Sequence, residues 1–129
     1  MAIPLGSLSG TEVLRRGTIH AQTTGLTTFK FDGTHPATAQ GGNTVPTNHI
    51  IIMMSIIICE QSNSADDISL WAIEGGTGIQ IFQNVTVGAF KTFVWNERIV
   101  LVGGQSLNIA TAAAGNMDVY YSYIDQSWV

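Results

Sequence analysis

From Ile50 to Cys59 the chain reads I-I-I-M-M-S-I-I-I-C, with one hydroxyl and no charge. Read as a strand, its alternate positions make two faces: Ile50, Ile52, Met54, Ile56 and Ile58 on one, Ile51, Met53, Ser55, Ile57 and Cys59 on the other. Both faces are apolar. A small antiparallel sandwich covers one face of such a strand with its own core and leaves the other to water. The second face therefore calls for a further layer or another subunit. The run is bounded by His49 and Glu60, far short of the roughly 20 residues that a membrane-spanning helix needs, so it is not read as a membrane span.

The rest of the chain follows a strand and turn rhythm. Strands are predicted at roughly Leu14 to Gln22 and Thr27 to Phe31, followed by a long stretch from Gly33 to Asn48 that is rich in Gly, Thr and Pro and nearly free of apolar residues. Unstructured stretches of that length are uncommon inside compact domains, and this one is read as an arm or loop that reaches a neighbour. After the apolar run, S-N-S-A-D-D makes a turn. Ile68, Leu70 and Ala72 then alternate with Ser69, Trp71 and Ile73 until E-G-G-T-G breaks the strand. In I-Q-I-F-Q-N-V-T-V, Ile79, Ile81, Val85 and Val87 are placed on one face. Strands at Phe90 to Trp95 and Arg98 to Val102 flank an Asn96-Glu97 corner. Leu107 and Ile109 follow Gly103-Gly104, and after A-A-A-G-N the last strand puts Met117, Val119, Tyr121 and Tyr123 on one face.

No segment sustains a helical period, and short strands at about 8 to 12 residue spacing with glycine-rich turns are the signature of an all-β sandwich. The predicted fold is a single-domain antiparallel β-sandwich, jelly-roll-like, with an extended N-terminal segment. Residues 1–48 are assigned to an arm and long loop with edge strands, and 49–129 to the sandwich core. The 129 residues suffice for one core without staples.

Charged residues make up 11% of the chain, against roughly 25% in average soluble domains. A surface that carries its polarity on Thr, Ser, Asn and Gln suits a protein packed against copies of itself or a large partner. The net charge of −4 argues against nucleic acid, whose phosphates need clustered Lys and Arg; Arg15 and Arg16 alone are adjacent. The single cysteine, Cys59, excludes an internal disulfide and is read as a buried thiol. M-A-I-P-L-G-S-L-S-G has no basic segment before an apolar stretch, so no signal peptide is expected, and Asn84-Val85-Thr86 is then a chance sequon.

Candidate chemistry is sparse. Gly75-Gly76-Thr77-Gly78 and Gly103-Gly104-Gln105-Ser106 lack the lysine of a phosphate loop and are read as β-turns. His20, His35 and His49 stand in no metal-ligand spacing. Glu60, Asp66 and Asp67 with Asn63 surround one turn but lack the alternation of a calcium loop, and no pair of carboxylates is selected by spacing for glycoside hydrolysis. No G-x-S-x-G elbow occurs. No catalytic residue, metal or cofactor is assigned. Trp71, Trp95, Tyr120, Tyr121, Tyr123 and Trp128 are read as core and interface filling, with stacking on sugar rings as the alternative. The candidate interface residues are Ile51, Met53, Ile57, Trp71, Trp95, Tyr120 and Trp128.

The segments S-I-I-I-C-E-Q-S, D-I-S-L-W-A-I-E-G-G, F-V-W-N-E-R-I-V-L-V-G-G-Q-S-L-N-I-A-T-A and M-D-V-Y-Y-S-Y-I-D resemble the pattern of small β-sandwich virion proteins of tailed bacteriophages. The resemblance runs from His49 to Asp125 and leaves the first 48 residues uncovered. It implies a non-enzymatic structural protein made in the host cytoplasm and carried on the virion. That protein would be a capsid decoration (cement) protein, a homo-oligomer, expected as a trimer, whose partner is the major capsid protein or another virion protein. A small tail or neck component, or a glycan-binding module of the host-attachment apparatus, is the alternative. Neither nucleic acid nor membrane is an expected partner.

Overall fold

The structure is a computed structural model that describes residues 11–22, 24–31, 44–113 and 116–128. Among these residues there is no helix. Nine strands, all paired antiparallel, form two sheets. The first sheet holds β1 (Thr11–Gln22), β9 (Met117–Ser127) and β3 (His49–Glu60) side by side. The far edge of β3 is shared end to end by β7 (Ile99–Val102), along Ile50 to Met53, and β6 (Thr92–Trp95), along Ile56 to Cys59. The second sheet has the order β2 (Thr27–Thr28), β8 (Ser106–Thr111), β4 (Asp66–Glu74), β5 (Thr77–Val87). The molecule is thus the all-β antiparallel sandwich that the strand and turn rhythm predicts.

Turn chemistry sets the connections. Gly75 and Gly76 both have positive φ, 58° and 83°, the conformation of a two-residue hairpin turn whose twist matches its strands. Gly104, with φ of 89°, follows Gly103 in a turn closed by Gln105 N–H donating to Val102 O at 3.0 Å.

One side of β9, Met117, Val119, Tyr121 and Tyr123, is buried as its alternation predicts, and Asp125 continues that face. In β3 the alternation breaks. Its register against β9 shifts between Met53 and Ser55, where Met54 is an extra residue. The buried set is therefore Ile51, Met53, Ile56, Ile58 and Glu60, and an unbroken two-face reading of the run holds only as far as Met53. A bulge of one residue reverses every side chain that follows it. It lies where the neighbouring strand changes from β7 to β6. Two register shifts between β4 and β5 have the same effect: Phe82 and Val87 are buried, Ile81 and Val85 pack partly against the core, and Ile79 is exposed. The expected common face of Ile79, Ile81, Val85 and Val87 is thereby broken.

The described residues of the N-terminal third are built into the sandwich. β1 pairs along β9 from Thr11↔Ser127 to Ile19↔Val119, and Ile19, Phe29, Phe31 and Val45 belong to the core. Val45 is pinned to the β7–β8 turn by Val45 N–H to Gln105 O and Gly104 N–H to Val45 O, at 2.8 and 2.9 Å. The remainder of the expected arm, residues 1–10 and 32–43, lies outside the described residues, as do His35 and part of the 112–116 turn.

The centre of this end of the core is aromatic. Phe29 meets Tyr121 edge-on at 4.6 Å between centroids, and Phe31 meets Tyr123 at 5.1 Å. The Tyr121 hydroxyl accepts from Lys30 N–H at 3.0 Å and donates to Lys30 O at 2.7 Å. It thereby takes the place of a strand partner for the segment after β2. The ring passes over Gly17, where any Cβ would overlap Tyr121 Cζ and Oη. Gly17→Ala should therefore destabilise the fold by more than Tyr121→Phe. Tyr121→Phe keeps the ring but strands two backbone groups, at about 1–3 kcal/mol for a buried unsatisfied group. Urea unfolding of both variants checks the order; a Gly17→Ala variant as stable as wild type would remove the close approach from the account.

Candidate interaction surface

The outer face of the first sheet carries two largely apolar rows that cross all four strand positions. One row crosses four strands as Leu14, Ile124, Ile52 and Val100, and another runs Thr18, Tyr120, Ile57, Val94. Between them lie Arg16, Ser122 and Ser55, with the Arg16 guanidinium 5.9 Å from the centroid of the Tyr120 ring. A third row carries Glu12, Gln126, Ile50 and Val102, and Gln126 donates to Glu12 at 2.6 Å. At the opposite margin His20 Nδ1 lies 2.8 Å from Asp118 Oδ1. Charge is thus confined to the β1 side and the margins.

Leu14 is 72% exposed, Val100 58%, Val94 46%, Tyr120 44% and Ile57 39%. A single exposed aliphatic residue needs no explanation, but a contiguous apolar patch rimmed by polar groups marks an interaction site. Among the described residues nothing covers this face. A shallow depression of about 350 Å³ lies on it between Thr18, His20, Ile57, Cys59, Asp118 and Tyr120.

The candidate interface residues separate. Ile57 and Tyr120 lie on this face. Ile51 and Met53 fill the subunit's own core, which leaves them no surface for a partner. Trp95 is half-buried against Phe82, with centroids 5.3 Å apart. Trp71 is half-buried on the outer side of the second sheet, beside a depression of about 330 Å³ lined by Leu26, Ser69 and Asn84 among others. Trp128 stands at the end of the sandwich near His49. Leu14, Ile124, Val94, Val100 and Val102 were not singled out from sequence, although I-V-L-V has the same two-sided apolar pattern as the β3 run.

The polar groups mostly serve the fold. Glu60 is buried and its Oε1 accepts from Ser62 N–H and Oγ–H at 3.0 and 2.8 Å. Asp66 Oδ1 accepts from Asp67 N–H and Ala113 N–H at 2.8 and 3.1 Å. These carboxylates fasten the turns at one end of the sandwich. At the other end the buried Asp125 lies 2.7 Å from His49 Nδ1 and 3.4 Å from Arg15 Nε, tying β1, β3 and β9 together. Among the described residues no three His, Cys, Asp or Glu side chains gather as a metal site, and no helix is long and apolar enough to cross a membrane.

No protein-family model matches the chain, and no curated protein matches it. Among solved structures it is similar to Eiger TNF from S. frugiperda, with a TM-score of 0.40 and 11% identity over 90% of this chain and 92% of that one. It is similar also to a chain of the infectious bursal disease virus Gx strain, with a TM-score of 0.38 and 14% identity over 89% of this chain and 32% of that one. A chain of the T13 IBDV viral particle gives 0.33 and 12% over 90% and 36%. The chain spans about a third of the two viral chains. Likenesses this distant carry no argument about function.

Ile56 and Ile57 are adjacent but face opposite ways, one fully buried and one on the open face. Ile56→Asp should unfold the subunit, because an unpaired buried carboxylate costs several kcal/mol, much of a domain's stability. Ile57→Asp should stay folded and lose only such association as this face makes. Circular dichroism and size-exclusion chromatography read the two effects separately; folded, associated protein in both cases would contradict the assigned faces.

Proposed function

We propose that the chain is a non-enzymatic structural protein whose copies associate through the outer face of the first sheet. The observation that carries this reading is the uncovered apolar row from Leu14 to Val100 with its companion through Tyr120, Ile57 and Val94. Four strands about 4.8 Å apart and some nine residues of each at about 3.3 Å make a face of roughly 20 by 30 Å. That is the scale of the ~800 Å² that a standard interface buries per partner. The low charge of the chain favours such contact, since few ions must be desolvated. The resemblance to small virion proteins of tailed bacteriophages supports a setting on the virion, and within it a capsid decoration protein, in this reading a trimer that binds the major capsid lattice.

Light scattering at micromolar concentration should give a mass at least twice the 13.8 kDa of one chain. A monodisperse monomer would refute the self-association.

Residues 1–10 and 32–43 are the attachment element in this proposal. A chain lacking 1–10 and carrying a Gly-Ser linker in place of 36–43 keeps Val45 and all nine strands. It should fold and self-associate but fail to decorate particles in electron micrographs. Wild-type occupancy would instead locate attachment on the sandwich.

A further inference from the structure

Beside the start of β3 the sandwich ends in a hollow of about 250 Å³ between Asn48, His49, Ile50, Val102 and Trp128. Its rim is built by the turn Pro46-Thr47-Asn48-His49, closed by His49 N–H donating to Pro46 O at 3.2 Å. Asn48, third in that turn, has φ of 65°, a left-handed conformation that Asn tolerates at this turn position. The turn is seated on Gly103, where an added Cβ would lie 3.2 Å from Pro46 O and 3.3 Å from Thr47 Cα. Asn48 O accepts in turn from Trp128 N–H at 3.1 Å, which fixes the chain after β9 against the rim.

The imidazole of His49 is held by a buried group. Its Nδ1 lies 2.7 Å from Oδ1 of Asp125, whose side chain is 7% exposed and whose Oδ2 lies 3.4 Å from Arg15 Nε. Asp125 thereby fixes the ring and leaves Nε2 as the nitrogen available to a ligand. None of the described residues lining the hollow carries a carboxylate, ammonium or guanidinium group. Ile50, Val102 and Trp128 supply apolar wall, while Thr47, Asn48 and His49 bring a hydroxyl, an amide and an imidazole. A concave, mostly apolar wall with a few placed polar groups is the form of a small-molecule site. An apolar cavity of about 150 Å³ already admits benzene, so this one has room for a single substituted six-membered ring.

We infer that the hollow binds one neutral sugar residue. A pyranose presents C–H groups on a face and hydroxyls around its edge, so its C–H face would lie on Trp128 and its hydroxyls would meet Thr47, Asn48 and His49 Nε2. A phosphate or carboxylate finds no Lys or Arg in the lining to receive it. A purely apolar ring would leave the amide and the imidazole without partners. The site is complete within one subunit, so it goes beyond self-association through the sheet face and does not depend on it.

The test titrates the full chain with the methyl glycosides of glucose, galactose, mannose and N-acetylglucosamine, and separately with phenol, while NMR follows the tryptophan indole signals. At least one glycoside should saturate at millimolar concentration, bind more tightly than phenol and shift the Trp128 signal. Trp128→Ala should weaken that glycoside at least ~10-fold and Asn48→Gly at least ~3-fold, the scale of a lost ring contact and of a lost hydrogen bond. Asn48→Gly suits the left-handed φ and keeps the carbonyl that holds Trp128, so it removes the amide and leaves the turn in place. Ile57→Asp, which acts on the sheet face, should bind the glycoside as wild type does. No saturable glycoside, tighter binding of phenol, an affinity unchanged in both Trp128→Ala and Asn48→Gly, or loss of binding in Ile57→Asp would each overturn the sugar site. The first three results leave the sheet-face reading standing, and a monomeric chain that still binds the glycoside would sink the sheet face alone.

Discussion

Everything in this molecule depends on β3 being apolar on both sides. Its inner residues, Ile51, Met53, Ile56 and Ile58, are fully buried and meet the second sheet, whereas Ile50, Ile52 and Ile57 join the open outer face. Such a strand can be central only if it is flanked on both edges, and here β9 lies on one side with β6 and β7 sharing the other. The bulge at Met54 lets one strand satisfy two short partners that approach at different points along it. Without that extra residue, Glu60 would leave the interior and Cys59 would enter it, and the turn fastened by the Glu60 carboxylate would lose its anchor.

The aromatic cluster explains how a segment with little regular structure becomes part of the core. The two residues of β2 cannot hold the chain by sheet pairing alone. Phe29 and Phe31 instead pack on Tyr121 and Tyr123, while the Tyr121 hydroxyl satisfies both backbone groups of Lys30. Gly17 is required on the other side of the same ring because the tyrosine occupies the space of a side chain. The sandwich is therefore closed at this end by one residue that bridges β1, β9 and the post-β2 segment.

The buried carboxylates hold strand ends together, which is why the surface rather than a cleft carries the functional reading. Asp125 joins β1 and β3, while Glu60 and Asp66 tie the turns. The apolar rows on the outer face of the first sheet remain accessible. Desolvation of such surfaces is favourable and non-directional, so shape and the polar margins must supply the specificity of assembly.

The alternation of apolar residues in M-D-V-Y-Y-S-Y, the Gly-Gly turns and the lack of any helical period made the all-β sandwich legible from sequence, because strand period and turn chemistry are local properties. The two-sided apolarity of Ile50 to Cys59 likewise announced an exposed face, since one sheet cannot bury both sides of a strand against a single partner layer. Which residues lie on that face was decided only in three dimensions. A bulge is a mismatch between two strands that are distant in the chain, so no window around Met54 reveals that Ile56 turns inward, and Met53 lies inside for reasons that reside in β9. The same holds for Phe90. Composition places an aromatic in a strand or a core, and only the turn closed against Ser62 holds Phe90 outward with a positive φ.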